Sequence, residues 1–183
     1  MIFDRDLYDR IMRENSQFPD NPEDSKLWKV IQVVYNCSQE EAMTIAGLHC
    51  NSLSFYGLCR GKHFIEFPYM YWLEHLRDKD YISRRGYLEV GKEKISELFG
   101  FSDRYPEGGE IKYIYDYDEV ASLSREDIGI NYKVHNRSGT GIHFMGGYSM
   151  NSQAHVSDSS YRGIRKKFTD VVPRNKFIWG AIV

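Results

Sequence analysis

The residues best suited to chemistry lie in the segment from Gly141 to Gly163, GIHFMGGYSMNSQAHVSDSSYRG. Its pattern predicts two β-strands joined by a polar hairpin, the first opening with His143 and the second ending at Asp158. A turn that returns the chain antiparallel sets these two side chains next to each other at one end of a ribbon. A carboxylate so placed orients an imidazole for acid–base catalysis. A surface hairpin without function would bring the same two residues together.

Composition limits the classes of protein to which the chain can belong. The 183 residues include 15% aromatics, enough for a substantial core, and the net charge of −2 gives no global attraction to nucleic acid. The charged N-terminus does not resemble a secretory signal, and no apolar run approaches the roughly 20 residues of a membrane span. Three cysteines, an odd number, favour reduced thiols. We therefore expect a cytoplasmic protein without membrane or nucleic-acid partners.

The elements that must position the hairpin change in character along the chain. Helical patterns cover residues 3–14, 38–47, 50–59, 65–77 and 91–99, whereas 28–35 fits either a strand or a buried helical turn. From 111 onwards the sequence predicts strands, the last of which, NKFIWGAIV, is apolar on both faces and is expected inside a sheet. The acidic, tyrosine-rich stretch 114–127 is expected to be an exposed insertion.

This order predicts an α+β fold in which N-terminal helices pack against a C-terminal antiparallel sheet. We expect a single domain over 1–183, divided into an N-terminal helical extension (1–36), a helical half (37–100) and a β-sheet half (111–183). A cleft between the two halves is the natural place for a catalytic site.

A helix-borne cysteine followed by a strand-borne histidine and an aspartate resembles the papain-like cysteine peptidases and amidases. The chain is most similar to their compact bacterial branch, which includes the peptidases that trim bacteriocin leaders. In that branch the histidine begins a strand in an H-F or H-Y pair, and the aspartate follows about fifteen positions on in a D-P or D-S turn. His143-Phe144 and Asp158-Ser159 match this pattern, since 158 − 143 = 15.

A second similarity joins YISRRGYLEVGKEKISELFGF to the later HF and DSSYRG, as in an uncharacterised bacterial family commonly assigned a related fold. Together the similarities cover about residues 50–183. They imply a papain-like fold, a Cys-His-Asp triad and hydrolysis of a peptide or other amide bond. They do not identify the substrate.

The chain departs from the family around the nucleophile, where the family cysteine has a neighbouring glycine and a glutamine about six residues before it. Cys50 begins an apolar helix, as expected for the helix that carries the thiol, but Thr44 occupies the place of the glutamine. Cys37 follows Gln32 by five residues, yet the acidic start of its helix would oppose thiolate formation. Cys50 is the preferred nucleophile, Cys37 is the alternative, and a chain without a nucleophile stays open.

The resemblance requires neither metal nor cofactor. The remaining histidines are scattered without the spacing of metal ligands, so we expect no metal site. These are His49, His63, His75, His135 and His155.

Two other functions compete with hydrolysis. The first is a papain-like binding module without activity, which the departures around cysteine favour. The second is DNA binding through a helix-turn-helix at about residues 38–60, whose second helix would present Asn51, Ser52, Ser54 and Phe55 to bases. Because few cations accompany that helix, nucleic acid is the weaker expectation.

Overall fold

The computed structural model describes residues 2–105, 111–125, 128–161 and 164–183. Helices occupy the N-terminal part and strands the C-terminal part, which confirms the α+β class. The described helices are α1 (Arg5–Glu14), α2 (Lys26–Tyr35), α3 (Gln39–Ala46), α4 (Cys50–Gly61), α5 (Tyr69–Asp78), α6 (Lys92–Leu98), α7 (Tyr117–Ala121) and α8 (Phe168–Val171). The strands are β1 (Lys112–Ile114), β2 (Gly129–His135), β3 (Ile142–Met150), β4 (Gln153–Val156), β5 (Lys166–Lys167) and β6 (Phe177–Ile182).

Local sequence signals explain most helix ends. Asp4 caps α1 by accepting a hydrogen bond from the Leu7 amide (2.9 Å). Ser38 and Glu41 form a reciprocal capping box at the start of α3. Gly100, with a φ of 69°, terminates the turn after α6, as expected of a residue without a Cβ.

Three local expectations are resolved or corrected. The ambiguous stretch 28–35 belongs to helix α2, which buries Leu27, Trp28 and Ile31. Helix α4 begins at Cys50, as predicted, and ends at Gly61, two residues beyond the predicted end. The expected exposed insertion is wrong in its middle, because residues 117–121 form α7 and Val120 is fully buried there. Two of its residues, 126 and 127, lie outside the described residues, as do 106–110 of the preceding loop.

One six-stranded antiparallel sheet has the order β1-β6-β2-β3-β4-β5. Strand β6 pairs with both β1 and β2, so the prediction that the C-terminal strand lies inside the sheet is confirmed. The hairpin between β3 and β4 turns at Asn151 and Ser152, whose φ angles of 53° and 58° fit a two-residue turn with both residues left-handed. This turn sets the register that brings the start of β3 towards the chain after β4.

The sheet is covered on both faces. One hydrophobic cluster joins the helical layer to the sheet, and it includes Phe3, Tyr8 and Met12 from α1 and the chain before it. A second cluster, around Tyr132, Val156 and Phe168, lies beneath α7 and α8. Residues at the N-terminus are therefore part of the main core.

Helix α4 is buried along most of its length. Ser52, Ser54 and Phe55 are fully buried, and Ser54 Oγ accepts a hydrogen bond from Asn131 Nδ2 of β2 (2.9 Å). A recognition helix must project its side chains into the DNA groove. In this structure these three side chains cannot do so, which argues against the helix-turn-helix hypothesis.

Within the described residues, no helix combines the length and the apolar character that crossing a membrane requires.

Candidate catalytic site

Cys50 is the first residue of α4, and no side chain caps this end of the helix. The backbone N–H groups of a first helical turn have no intrahelical acceptors, so they leave a partial positive charge at the terminus. Such a charge stabilises a thiolate and can bind an oxyanion. Cys50 is nearly buried, with 9% of its surface exposed.

His143 and Asp158 are neighbours, as the hairpin predicted. His143 Nε2 lies 3.4 Å from Asp158 Oδ2, and the aspartate side chain is fully buried whereas that of the histidine is 27% exposed. His143 is the second residue of β3, and Asp158 follows the end of β4 by two residues. The imidazole is therefore partly accessible to solvent, whereas the carboxylate beside it is not.

Ser160 holds the carboxylate in place. Its backbone N–H donates to Asp158 Oδ2 (3.3 Å), and its hydroxyl donates to the same oxygen in a short hydrogen bond. The Ser160 hydroxyl also lies 3.5 Å from His143 Nε2. Asp158 Oδ2 is thus oriented by a turn of its own chain before it meets the histidine.

Cys50 also lies within hydrogen-bonding reach of His143. Burial acts to lower the pKa of His143, but hydrogen bonds with Asp158 and Cys50, together with their charges, outweigh it and raise the pKa to about 10. Because Nε2 faces Asp158, Nδ1 is the ring atom available to the sulfur. Cys50, His143 and Asp158 form one contiguous constellation in which the imidazole is positively charged at neutral pH.

The other two cysteines lie in different surroundings. Cys37 lies between α2 and α3, where burial and the charge of Glu41 raise the pKa of its thiol. Cys59 is fully buried, and burial raises its pKa well above the ordinary value despite the opposing effect of Lys92. Neither thiol is among the groups that shift the pKa of His143.

A second histidine borders Cys50 but is neutral. His49 is fully buried, and burial lowers its pKa to about 3. Its Nδ1 lies 2.8 Å from the Tyr69 hydroxyl, and its Nε2 lies 3.4 Å from the Tyr35 hydroxyl. This residue anchors the start of α4 between two helices.

The chain after α1 ties the two halves of the site together, a role that the sequence did not reveal. Gln17 Nε2 donates to the Ala46 carbonyl (2.8 Å), and Gln17 Oε1 accepts from the Ser159 hydroxyl (2.8 Å). The Gln17 N–H also donates to the Ser159 carbonyl (3.3 Å). One buried glutamine therefore links the chain before Cys50 to the turn that carries Asp158.

Tyr8 of α1 also lies beside Asp158. Burial, followed by the charge of Asp158, raises the pKa of Tyr8 well above its ordinary value. A side chain at Gly146 would collide with the Tyr8 hydroxyl, so glycine lets α1 approach β3 at this point. Within the described residues, neither the Tyr8 hydroxyl nor Asp158 Oδ1 has a hydrogen-bond partner.

The glutamine that the family resemblance implies near the oxyanion has no clear counterpart. Thr44 is exposed, and its hydroxyl donates to the Glu40 carbonyl (3.4 Å). Gln32 lies within α2, and the Gln17 side-chain amide donates to the Ala46 carbonyl. The donors best placed for an oxyanion are therefore the backbone N–H groups at the start of α4.

No group of His, Cys, Asp and Glu side chains within the described ranges could hold a metal ion. Comparisons of the chain with protein-family models, curated proteins and solved structures found no match.

Proposed function

We propose that this chain is a papain-like thiol hydrolase that cleaves a peptide or other amide bond. The observation that carries the proposal is the position of His143, which contacts both a buried carboxylate and the thiol at the start of a helix. The order of helices before an antiparallel sheet supports the papain-like architecture. The site residues are Cys50 as nucleophile, His143 as acid and base, and Asp158 as the orienting carboxylate.

The chemistry follows from the charges at this site. In the resting site His143 already holds the proton of Cys50, and the thiolate forms a bond to the carbonyl carbon of the substrate amide. The carbonyl oxygen takes up the displaced electron pair, and the N–H groups at the start of α4 stabilise it. When the oxyanion collapses, the C–N bond breaks and His143 gives its proton to the leaving nitrogen. Water, deprotonated by His143, then hydrolyses the thioester and releases Cys50.

Asp158 contributes by holding the imidazole. Its hydrogen bond to Nε2 directs Nδ1 towards the sulfur and favours the charged ring. A fully buried carboxylate acts through a low-dielectric medium, so its effect on the imidazole is stronger than that of an exposed acid.

The proposal is tested by the rate at which each cysteine reacts with iodoacetamide. At pH 6 we expect Cys50 to be alkylated roughly 100-fold faster than Cys37, because an ion pair supplies thiolate where an ordinary thiol does not. Peptide mass spectrometry after quenched labelling measures both rates in one sample. Accessibility alone predicts the reverse order, since Cys37 is more exposed than Cys50.

Two variants provide the controls. Cys37→Ala should leave the fast reaction intact, and Cys50→Ala should abolish it. Equal rates at Cys50 and Cys37 in the wild-type protein would contradict the proposal and would favour an inactive papain-like binding module.

A further inference from the structure

A cavity of about 520 Å³ opens beside His143. It lies between the turn joining β2 to β3 and the segment from Val171 to Lys176, and its apolar wall includes the buried side chains of Val134, Met145 and Val172. His143 lines this cavity and also contacts Cys50, so its imidazole ring connects the cavity to the sulfur. Of Cys50, His143 and Asp158, His143 is the residue that lines the cavity.

The polar rim of this cavity is positively charged. Arg137 and Lys176 line it, and no acidic side chain among the described residues does. A Cβ at Gly139 would lie 3.1 Å from Lys176 Nζ, so the ammonium group reaches the turn that carries Arg137. Neither cation forms an ion pair with a carboxylate in the described part of the chain, which leaves both available to a ligand.

From the cavity wall and its two unpaired cations, we propose that the cavity binds an apolar substrate segment that ends in a carboxylate. The aliphatic side chains would cover the apolar part of the ligand, and Arg137 and Lys176 would bind its carboxylate. The assignment of this ligand as substrate rests on the proposed function, because it is His143 that connects the cavity to the thiol. Binding itself does not depend on the thiol.

Two sources can supply such a carboxylate: the C-terminus of a peptide or an acidic side chain. Three probes distinguish them: acetyl-valyl-leucine with a free carboxylate, its neutral C-terminal amide, and acetyl-valyl-glutamic acid α-amide. The Met145 methyl group in the cavity wall is the reporter, observed by NMR with labelled methionine and assigned with Met145→Leu. The Cys50→Ala variant is used so that no probe can be cleaved.

We expect at least one of the two carboxylate probes to shift the Met145 resonance and to bind about tenfold more tightly than the neutral amide. The stronger of the two identifies the source of the carboxylate. The double variant Arg137→Gln/Lys176→Gln should remove this preference. The matched control Lys29→Gln/Arg84→Gln changes the net charge by the same amount at exposed positions outside the cavity. This control should retain the preference for the carboxylate probes. Equal binding of all three probes, or a preference that survives Arg137→Gln/Lys176→Gln, would overturn the proposal.

A second measurement connects the cavity to the thiol. Iodoacetyl-valyl-leucine should alkylate Cys50 of the wild-type protein several-fold faster than its C-terminal amide, and the rim variant should equalise the rates. Selective alkylation without a charge preference would overturn the cavity assignment alone. Loss of selectivity for Cys50 with intact carboxylate binding at Met145 would overturn the proposed function alone.

Discussion

Two histidines lie beside Cys50, and at neutral pH one is uncharged whereas the other is positively charged. His49 precedes the cysteine in the helical half, is fully buried, and has a pKa near 3. His143 comes from the sheet, is partly exposed, and has a pKa near 10. Burial acts to lower the pKa of both histidines, so burial does not explain why one pKa is low and the other is high. The difference comes from the partners, since His49 meets two tyrosine hydroxyls whereas His143 meets a carboxylate and a thiol.

The two histidines therefore have different roles. A neutral histidine between tyrosines stabilises the packing of α4 through hydrogen bonds of ordinary strength. A charged histidine between a carboxylate and a thiol can move a proton during a reaction. Proximity to a cysteine in the sequence is therefore a poor guide to which histidine acts on it.

The largest expected effect is that of removing the charged ring. His143→Ala should reduce the alkylation rate of Cys50 at pH 6 by roughly 100-fold, because the imidazolium that stabilises the thiolate is lost. Iodoacetamide labelling followed by mass spectrometry measures the change. His49→Gln, which keeps hydrogen-bonding capacity next to Cys50, is the control and should retain most of the rate. If both variants reacted at the wild-type rate, the charge of His143 would not control the reactivity of Cys50.

Next in size is the removal of the carboxylate charge. Asp158→Asn should lower the pKa of His143 from about 10 towards its ordinary value, since the hydrogen bond and charge of Asp158 are among the causes of the rise. Hydrolysis of any substrate identified should fall by roughly 10²-fold, and by less than in His143→Ala, because the catalytic imidazole itself remains. NMR titration of the His143 ring protons measures the pKa. An unchanged titration in Asp158→Asn would show that Cys50 alone keeps the ring charged.

The two histidines should also affect stability in opposite directions as pH changes. The pKa of His143 is raised on folding, so its contribution is complete below about pH 6.5 and is lost as pH rises towards 10. The pKa of His49 is lowered on folding, so its contribution is complete above about pH 6.5 and is lost as pH falls towards 3. Each slope can reach about 1.4 kcal/mol per pH unit.

Urea unfolding of the wild type, His143→Gln and His49→Gln across this range tests the prediction. The difference between wild type and His143→Gln should shrink with rising pH, and that between wild type and His49→Gln should shrink with falling pH. Parallel curves for the three proteins would refute the assigned charges.

The smallest expected effect concerns Tyr8, which lies beside Asp158. Tyr8→Phe removes a hydroxyl dipole near the buried carboxylate without breaking a hydrogen bond, and we expect at most a roughly two- to fivefold lower alkylation rate at Cys50. Tyr148→Phe is a matched control, because its hydroxyl donates to Asp9 (2.7 Å) instead. Similar rates for the two variants would indicate that Tyr8 contributes packing only.

The sequence by itself determined the features that depend on neighbours along the chain. The capping box at Ser38 and Glu41 and the hairpin that pairs His143 with Asp158 are local, because turn geometry and strand register follow from nearby residues. The change from helical to strand patterns near residue 111 fixed the α+β class for the same reason.

Only the tertiary structure decided which thiol meets the histidine, because Cys50 and His143 lie on different elements far apart in the chain. It also revealed the link through Gln17, whose partners Ala46 and Ser159 are separated from it by 29 and 142 positions. The charges of His49 and His143 were likewise beyond the sequence, since a pKa depends on burial and on partners that folding brings together.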